Sequence, residues 1–81
     1  MTITILLFAS AADIVSQRSV SVQVQDGARL ADVAASLRAA YPQLSSLMDI
    51  SRWAVDRDFV PLTALVDAGK EIALIPPVSG G

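Results

Sequence analysis

The sequence predicts an α+β domain, a mixed sheet of about four to five strands with one main helix packed across it. Three observations carry this reading. Ser19 to Gln25 alternates strictly, with Val20, Val22 and Val24 on one face and Ser19, Ser21, Gln23 and Gln25 on the other, the period of a half-buried strand. Leu30 to Tyr41 repeats at helical spacing instead, placing Leu30, Val33, Ala34, Leu37, Ala40 and Tyr41 in one stripe. Thr2 to Phe8 and Ile72 to Ile75 are the most apolar strand-like runs, which suits strands in the middle of the sheet, covered on both faces.

Taken in order, Thr2 to Phe8 puts Ile3, Ile5 and Leu7 on one face and Thr2, Thr4, Leu6 and Phe8 on the other. Ala9 to Arg18 reads as a connecting loop with one helical turn. The alternating strand follows, antiparallel to the first, and Asp26-Gly27 turns out of it. The helix has no strong N-cap residue, and Pro42 closes it because the residue before proline avoids helical geometry. Leu44, Leu47 and Met48 have the spacing of a short helix closing one end of the core. Arg52 to Asp56 reads as a strand with Trp53 and Val55 sharing a face, Arg57-Asp58 as a turn, and Phe59-Val60 as its return. Pro61 to Ala68 is a connection, and Gly69-Lys70 turns into the last strand. The expected core is Ile3, Ile5, Val20, Val22, Leu30, Val33, Leu37, Val55, Leu65, Ile72 and Leu74.

Composition narrows the function. Eighty-one residues, 53% of them hydrophobic, allow one domain with one modest core. No apolar run approaches the roughly 20 residues of a membrane span, and the N-terminus lacks the basic start of a signal peptide. A soluble cytoplasmic protein is expected. The net charge of −2, without a basic cluster, argues against nucleic acid. There is no Cys and no His, so thiolate metal sites and the commonest general base are both missing. The carboxylates Asp56, Asp58, Asp67 and Glu71 could do acid–base work only as a close pair. On turns they read as solvated surface charge. A self-contained active site is not expected.

The remaining candidate is the end of the sequence, Ile75-Pro76-Pro77-Val78-Ser79-Gly80-Gly81. Proline cannot donate to a sheet ladder, so the strand should stop at Pro76, and two prolines favour a stiff extended backbone. Gly80 and Gly81 carry no Cβ and can pass through a channel too narrow for other residues. The expected division is a folded domain over 1–75 and a flexible tail over 76–81. Its reactive group is expected to be the Gly81 carboxylate, a poor electrophile until it is activated, for instance as an acyl-adenylate, after which a sulfur nucleophile can displace the nucleotide.

With Pro-Pro-Val-Ser-Gly-Gly closing this pattern, the sequence resembles the small subunit of molybdopterin synthase, a family of ubiquitin-like sulfur carriers with the β-grasp fold. Leu7 to Ala9 and Ala54 to Asp56 add weaker support. The resemblance implies that an adenylyltransferase related to ubiquitin-activating enzymes, using ATP and Mg, adenylates Gly81. A sulfur donor protein would then form a thiocarboxylate. The loaded tail, Pro76, Pro77, Val78, Ser79, Gly80 and Gly81, would enter the large synthase subunit within a heterotetramer. There it would donate sulfur to cyclic pyranopterin monophosphate, making the dithiolene of molybdopterin. The implied docking positions are Phe8, Phe59 and Ile75, with core packing as the alternative for both phenylalanines. No metal and no cofactor held by this chain are implied.

Two stretches depart from the family. Ala12-Asp13-Ile14 stands where members often have Arg-Glu-Leu, and Asp67 to Ile72 replaces a usual Asp-Gly-Asp-Glu-Val. Competing readings are a sulfur carrier for thiazole or tRNA thiolation, and a ubiquitin-like modifier joined to lysine. Lys70 is the sole lysine, placed on a turn, and Trp53 is core or rim.

Overall fold

The computed structural model describes residues 1–77. Strand β1 (Thr2–Leu7) is followed by helix α1 (Ala9–Val15), strand β2 (Ser19–Gln23) and helix α2 (Leu30–Ala40). A 3-10 turn (Pro42–Leu44) leads into the short helix α3 (Ser45–Met48), and strands β3 (Arg52–Val55), β4 (Asp58–Phe59) and β5 (Ile72–Ile75) complete the chain. The sheet order is β2-β1-β5-β3-β4. β1 and β5 are parallel neighbours in the middle, with Ile5 opposite Ile72 and Leu7 opposite Leu74, and every other pairing is antiparallel. This is the mixed sheet that the sequence predicts, with its two most apolar strands at the centre.

One face of the sheet is the core. Ile3 and Ile5 from β1, Val20 and Val22 from β2, and Ile72 and Leu74 from β5 are buried against Leu30, Val33 and Leu37 of α2. Leu44 and Met48 close one end, as their spacing predicts. Trp53 is 6% exposed and belongs to this core rather than to its rim.

Helix α2 starts without a capping side chain because neighbouring backbone supplies the acceptors. The first two N–H groups, of Leu30 and Ala31, donate to the carbonyls of Ala64 and Leu62 at 2.8 and 2.9 Å. Asp32 N–H donates to the Arg29 carbonyl at 2.9 Å, and the Asp32 carboxylate accepts from Arg29 N–H at 2.9 Å. The orphan donors of the first turn are thus satisfied without Ser or Thr at the N-cap. The Arg29 guanidinium, which has no acceptor atom, donates to the Thr63 carbonyl at 2.7 Å instead. The segment 61–66 is therefore fastened to the helix end.

Three expectations are corrected. Ala9 to Val15 is a helix of two turns, not a loop with a single turn; only Ala11 on it is buried, so it leaves no apolar stripe to read. Leu65 is 60% exposed and is not core. Its backbone bridges Arg29, and Val66 turns inward, donating its N–H to the Ala28 carbonyl at 3.1 Å. The turn between β3 and β4 is Asp56-Arg57, one residue earlier than expected, and β4 begins at Asp58. Both turn residues have left-handed backbone, with φ of 49° and 72°, the geometry of a two-residue hairpin loop matched to strand twist. Gly27, with φ of 81°, makes the expected turn after β2.

Candidate functional site

The face of the sheet turned away from α2 divides into two halves. On the β2 side it is polar: Thr2 accepts a hydrogen bond from Gln23 at 2.7 Å, and the Thr4 and Ser21 hydroxyls stand 3.4 Å apart. Across the other strands it is apolar. The register aligns Leu6 with Ala73, Ala73 with Ala54, and Ala54 with Phe59, one row over four strands. The next row pairs Ile75 with Arg52. Phe8 follows Leu7, and Ile75 follows Leu74, so the Leu7–Leu74 pairing brings Phe8 and Ile75 to one edge of this half.

Exposure excludes the core-packing reading of the phenylalanines. Phe8 is 48% exposed and Phe59 is 51% exposed, so neither is core packing. Ile75 is half-buried. Ala54 and Ala73 are nearly inaccessible yet stand outside the core cluster. They form the floor between the larger side chains of Leu6, Phe59 and Ile75. Phe8, Phe59 and Ile75 therefore share one surface, and small residues leave its middle shallow.

The C-terminal segment leaves from this same edge. β5 ends at Ile75, and Pro76 and Pro77 follow with no backbone N–H to continue the ladder. Pro76 is buried and Pro77 exposed, so the chain passes from the domain to its surface between the two. Val78, Ser79, Gly80 and Gly81 lie outside the described residues.

One residue of this face was not singled out from the sequence. The guanidinium carbon of Arg52 lies 3.6 Å from the centroid of the Phe59 ring, a cation–π stack across β3 and β4. A single Arg in a strand pattern reads as ordinary surface charge, and only the strand register places it among the apolar residues.

The carboxylates do not assemble a catalytic pair. Asp56 accepts from Glu71 N–H at 2.9 Å and stands 3.9 Å from the Lys70 ammonium, and Glu71 lies 3.8 Å from Arg57. Asp67 accepts from Gly69 N–H at 2.9 Å, shaping the turn into β5. All four, Asp58 included, are exposed. Among the described residues no group of His, Cys, Asp or Glu is arranged to hold a metal ion, and no helix is long and apolar enough to cross a membrane.

Comparison with known proteins agrees with this geometry. The chain is 36% identical over 84 residues to the molybdopterin synthase sulfur carrier subunit of Chlamydomonas reinhardtii, with the full length of both covered. The structure superposes on small archaeal modifier protein 1 of Haloferax volcanii with a TM-score of 0.90 and 31% identity, again over all of both chains. It has the same fold as a chain in the complex of subunits 1 and 2 of molybdopterin-converting factor from Helicobacter pylori, with a TM-score of 0.72, 18% identity and full coverage of each. The fold is the ubiquitin-like β-grasp. The model of the ThiS family matches residues 5–81, and the chain belongs to that family.

Proposed function

We propose that this protein is the sulfur-carrying small subunit of a molybdopterin synthase, and that Gly81 is the residue that carries the sulfur. The observation that carries the proposal is a juxtaposition. The apolar half of the outer sheet face, with Phe8, Phe59 and Ile75, lies where β5 runs into Pro76 and Pro77. A partner seated on that face receives the following residues beside its own active site. The relatives named as sulfur carrier subunits, and the Pro-Pro-Val-Ser-Gly-Gly ending, favour this chemistry.

The chemistry divides between this chain and its partners. The Gly81 carboxylate attacks the α-phosphorus of ATP on an adenylyltransferase, where Mg neutralises the phosphates, and pyrophosphate leaves. A persulfide on the sulfur donor protein then attacks the acyl carbon and AMP leaves, giving an acyl disulfide. A thiol next attacks the donor's own sulfur, forming a disulfide with the donor and releasing Gly81 as the thiocarboxylate, so the terminal C–O bond is replaced by C–S. The loaded tail enters the large subunit, where the thiocarboxylate sulfur bonds to cyclic pyranopterin monophosphate and water cleaves the resulting thioester, leaving sulfur on the pterin and returning the Gly81 carboxylate; two such transfers make one dithiolene. Val78, Ser79 and Gly80 supply reach and slimness, and the large subunit supplies the acid–base groups that this chain lacks.

A second reading has its own support, because the chain is also 35% identical over 83 residues to a protein named as a small archaeal modifier. In that case the activated Gly81 is captured by a lysine of another protein. Intact-mass spectrometry of the chain isolated from its own cells separates the two. One oxygen replaced by sulfur is expected. An unchanged carboxylate together with isopeptide-linked conjugates would overturn the carrier reading.

A further inference from the structure

We propose that Arg52 is the charge-reading residue of the docking face, and that the large synthase subunit places a carboxylate against it. The inference rests on the docking role proposed above and adds the chemistry of the partner's surface. Arg52 faces outward beside Ile75, at the edge where the C-terminal segment leaves. Leu6, Phe8, Ala54, Phe59, Ala73 and Ile75 are its company on this half of the sheet, and none of them bears a charge.

Its guanidinium is engaged by its flat face only. It lies over the Phe59 ring at 3.6 Å, and the five N–H donors lie in the guanidinium plane, around its rim. Two of the other arginines spend those donors within the domain: Arg38 donates to Asp49 at 3.1 Å and Ser45 at 2.7 Å, and Arg29 to the Thr63 carbonyl at 2.7 Å. Arg57 stands 3.8 Å from the Glu71 carboxylate. Among the described residues no carboxylate comes within 4.0 Å of Arg52, and its guanidinium donates no hydrogen bond. Covering the apolar face with a partner takes this cation out of water. Leaving a charge buried and unpaired is strongly unfavourable, whereas a carboxylate can accept two parallel N–H bonds from the fork. A ring already stacked on the guanidinium fixes its orientation before binding, which lowers the entropy lost on docking.

The test is calorimetric titration of the large synthase subunit of the same organism with the full-length chain and three variants. Arg52→Met keeps an apolar stem over Phe59 and removes the charge, Arg52→Glu reverses it, and Arg52→Lys keeps it without the fork. The expected result is at least about tenfold weaker binding for Arg52→Met, a larger loss for Arg52→Glu, and intermediate binding for Arg52→Lys. Melting curves of the free variants should match the parent, which excludes a merely structural effect. Binding of Arg52→Met as tight as the parent's overturns the role of Arg52 and leaves the proposed function standing. Failure of the parent chain itself to bind overturns both.

Discussion

Asp56 and Glu71 are tied to each other twice. Asp56 N–H donates to the Glu71 carbonyl at 2.8 Å, and Glu71 N–H donates to the Asp56 carboxylate at 2.9 Å. The link joins the β3–β4 turn to the start of β5 and so helps to set where β5 begins and where its far end delivers Pro76. Asp56→Ala removes the acceptor and a residue that tolerates left-handed backbone, and should cost about 1–2 kcal/mol in urea unfolding. Asp56→Asn keeps an acceptor oxygen and the backbone preference, so most of the stability should return.

Arg57 carries the larger strain in the same turn. Its φ of 72° is a conformation that glycine adopts freely, while its ion pair with Glu71 is solvent-exposed and contributes little. Arg57→Gly should therefore raise stability by about 0.5–1 kcal/mol, after allowing for the greater freedom of unfolded glycine. A lowered denaturation midpoint would show that the ion pair outweighs the backbone.

Core and proposed docking face should separate cleanly by mutation. Leu74 is fully buried, so Leu74→Ala should cost about 2–5 kcal/mol, a large share of a small domain's stability. Phe59→Ala removes an exposed ring and should change stability by less than about 1 kcal/mol. The same variant should slow sulfur transfer at low partner concentration, with recovery as the large subunit is raised. Chemical denaturation and a concentration series of the transfer assay measure the two effects independently.

Leu65 and Val66 make a second pair. Leu65→Ala should leave the melting curve nearly unchanged, whereas Val66→Ala should destabilise by about 1–3 kcal/mol, because only Val66 is buried. Equal effects would contradict the inward turn at Val66.

The contrast marks how far the sequence could be read. Alternation in Val20, Val22 and Val24 and the stripe Leu30, Val33 and Leu37 exposed their elements because each buries one face at its own period. Leu65 and Val66 are adjacent apolar residues in an irregular segment, where no period says which turns inward; the hydrogen bond from Val66 to Ala28 decides it. Helix α1 was hidden for a related reason, since a single buried alanine, Ala11, leaves no stripe. The turn at Asp56-Arg57 was displaced because Arg is a poor signal for left-handed backbone. On the site, the end of β5 at Ile75 was legible, because Pro76 and Pro77 cannot continue the ladder. The row from Leu6 through Ala73 and Ala54 to Phe59 was not, because it exists only once four strands are in register. Arg52 was missed with it.

The most direct measurement is molybdopterin formation in a reconstituted mixture of the large subunit, cyclic pyranopterin monophosphate and this chain carrying a C-terminal thiocarboxylate, compared with the same chain lacking Gly81. The truncated chain should unfold at the same denaturant concentration as the parent and yield no molybdopterin, while the loaded parent yields product at two sulfurs per pterin. Product formed at the parental rate by the chain without Gly81 would contradict the account.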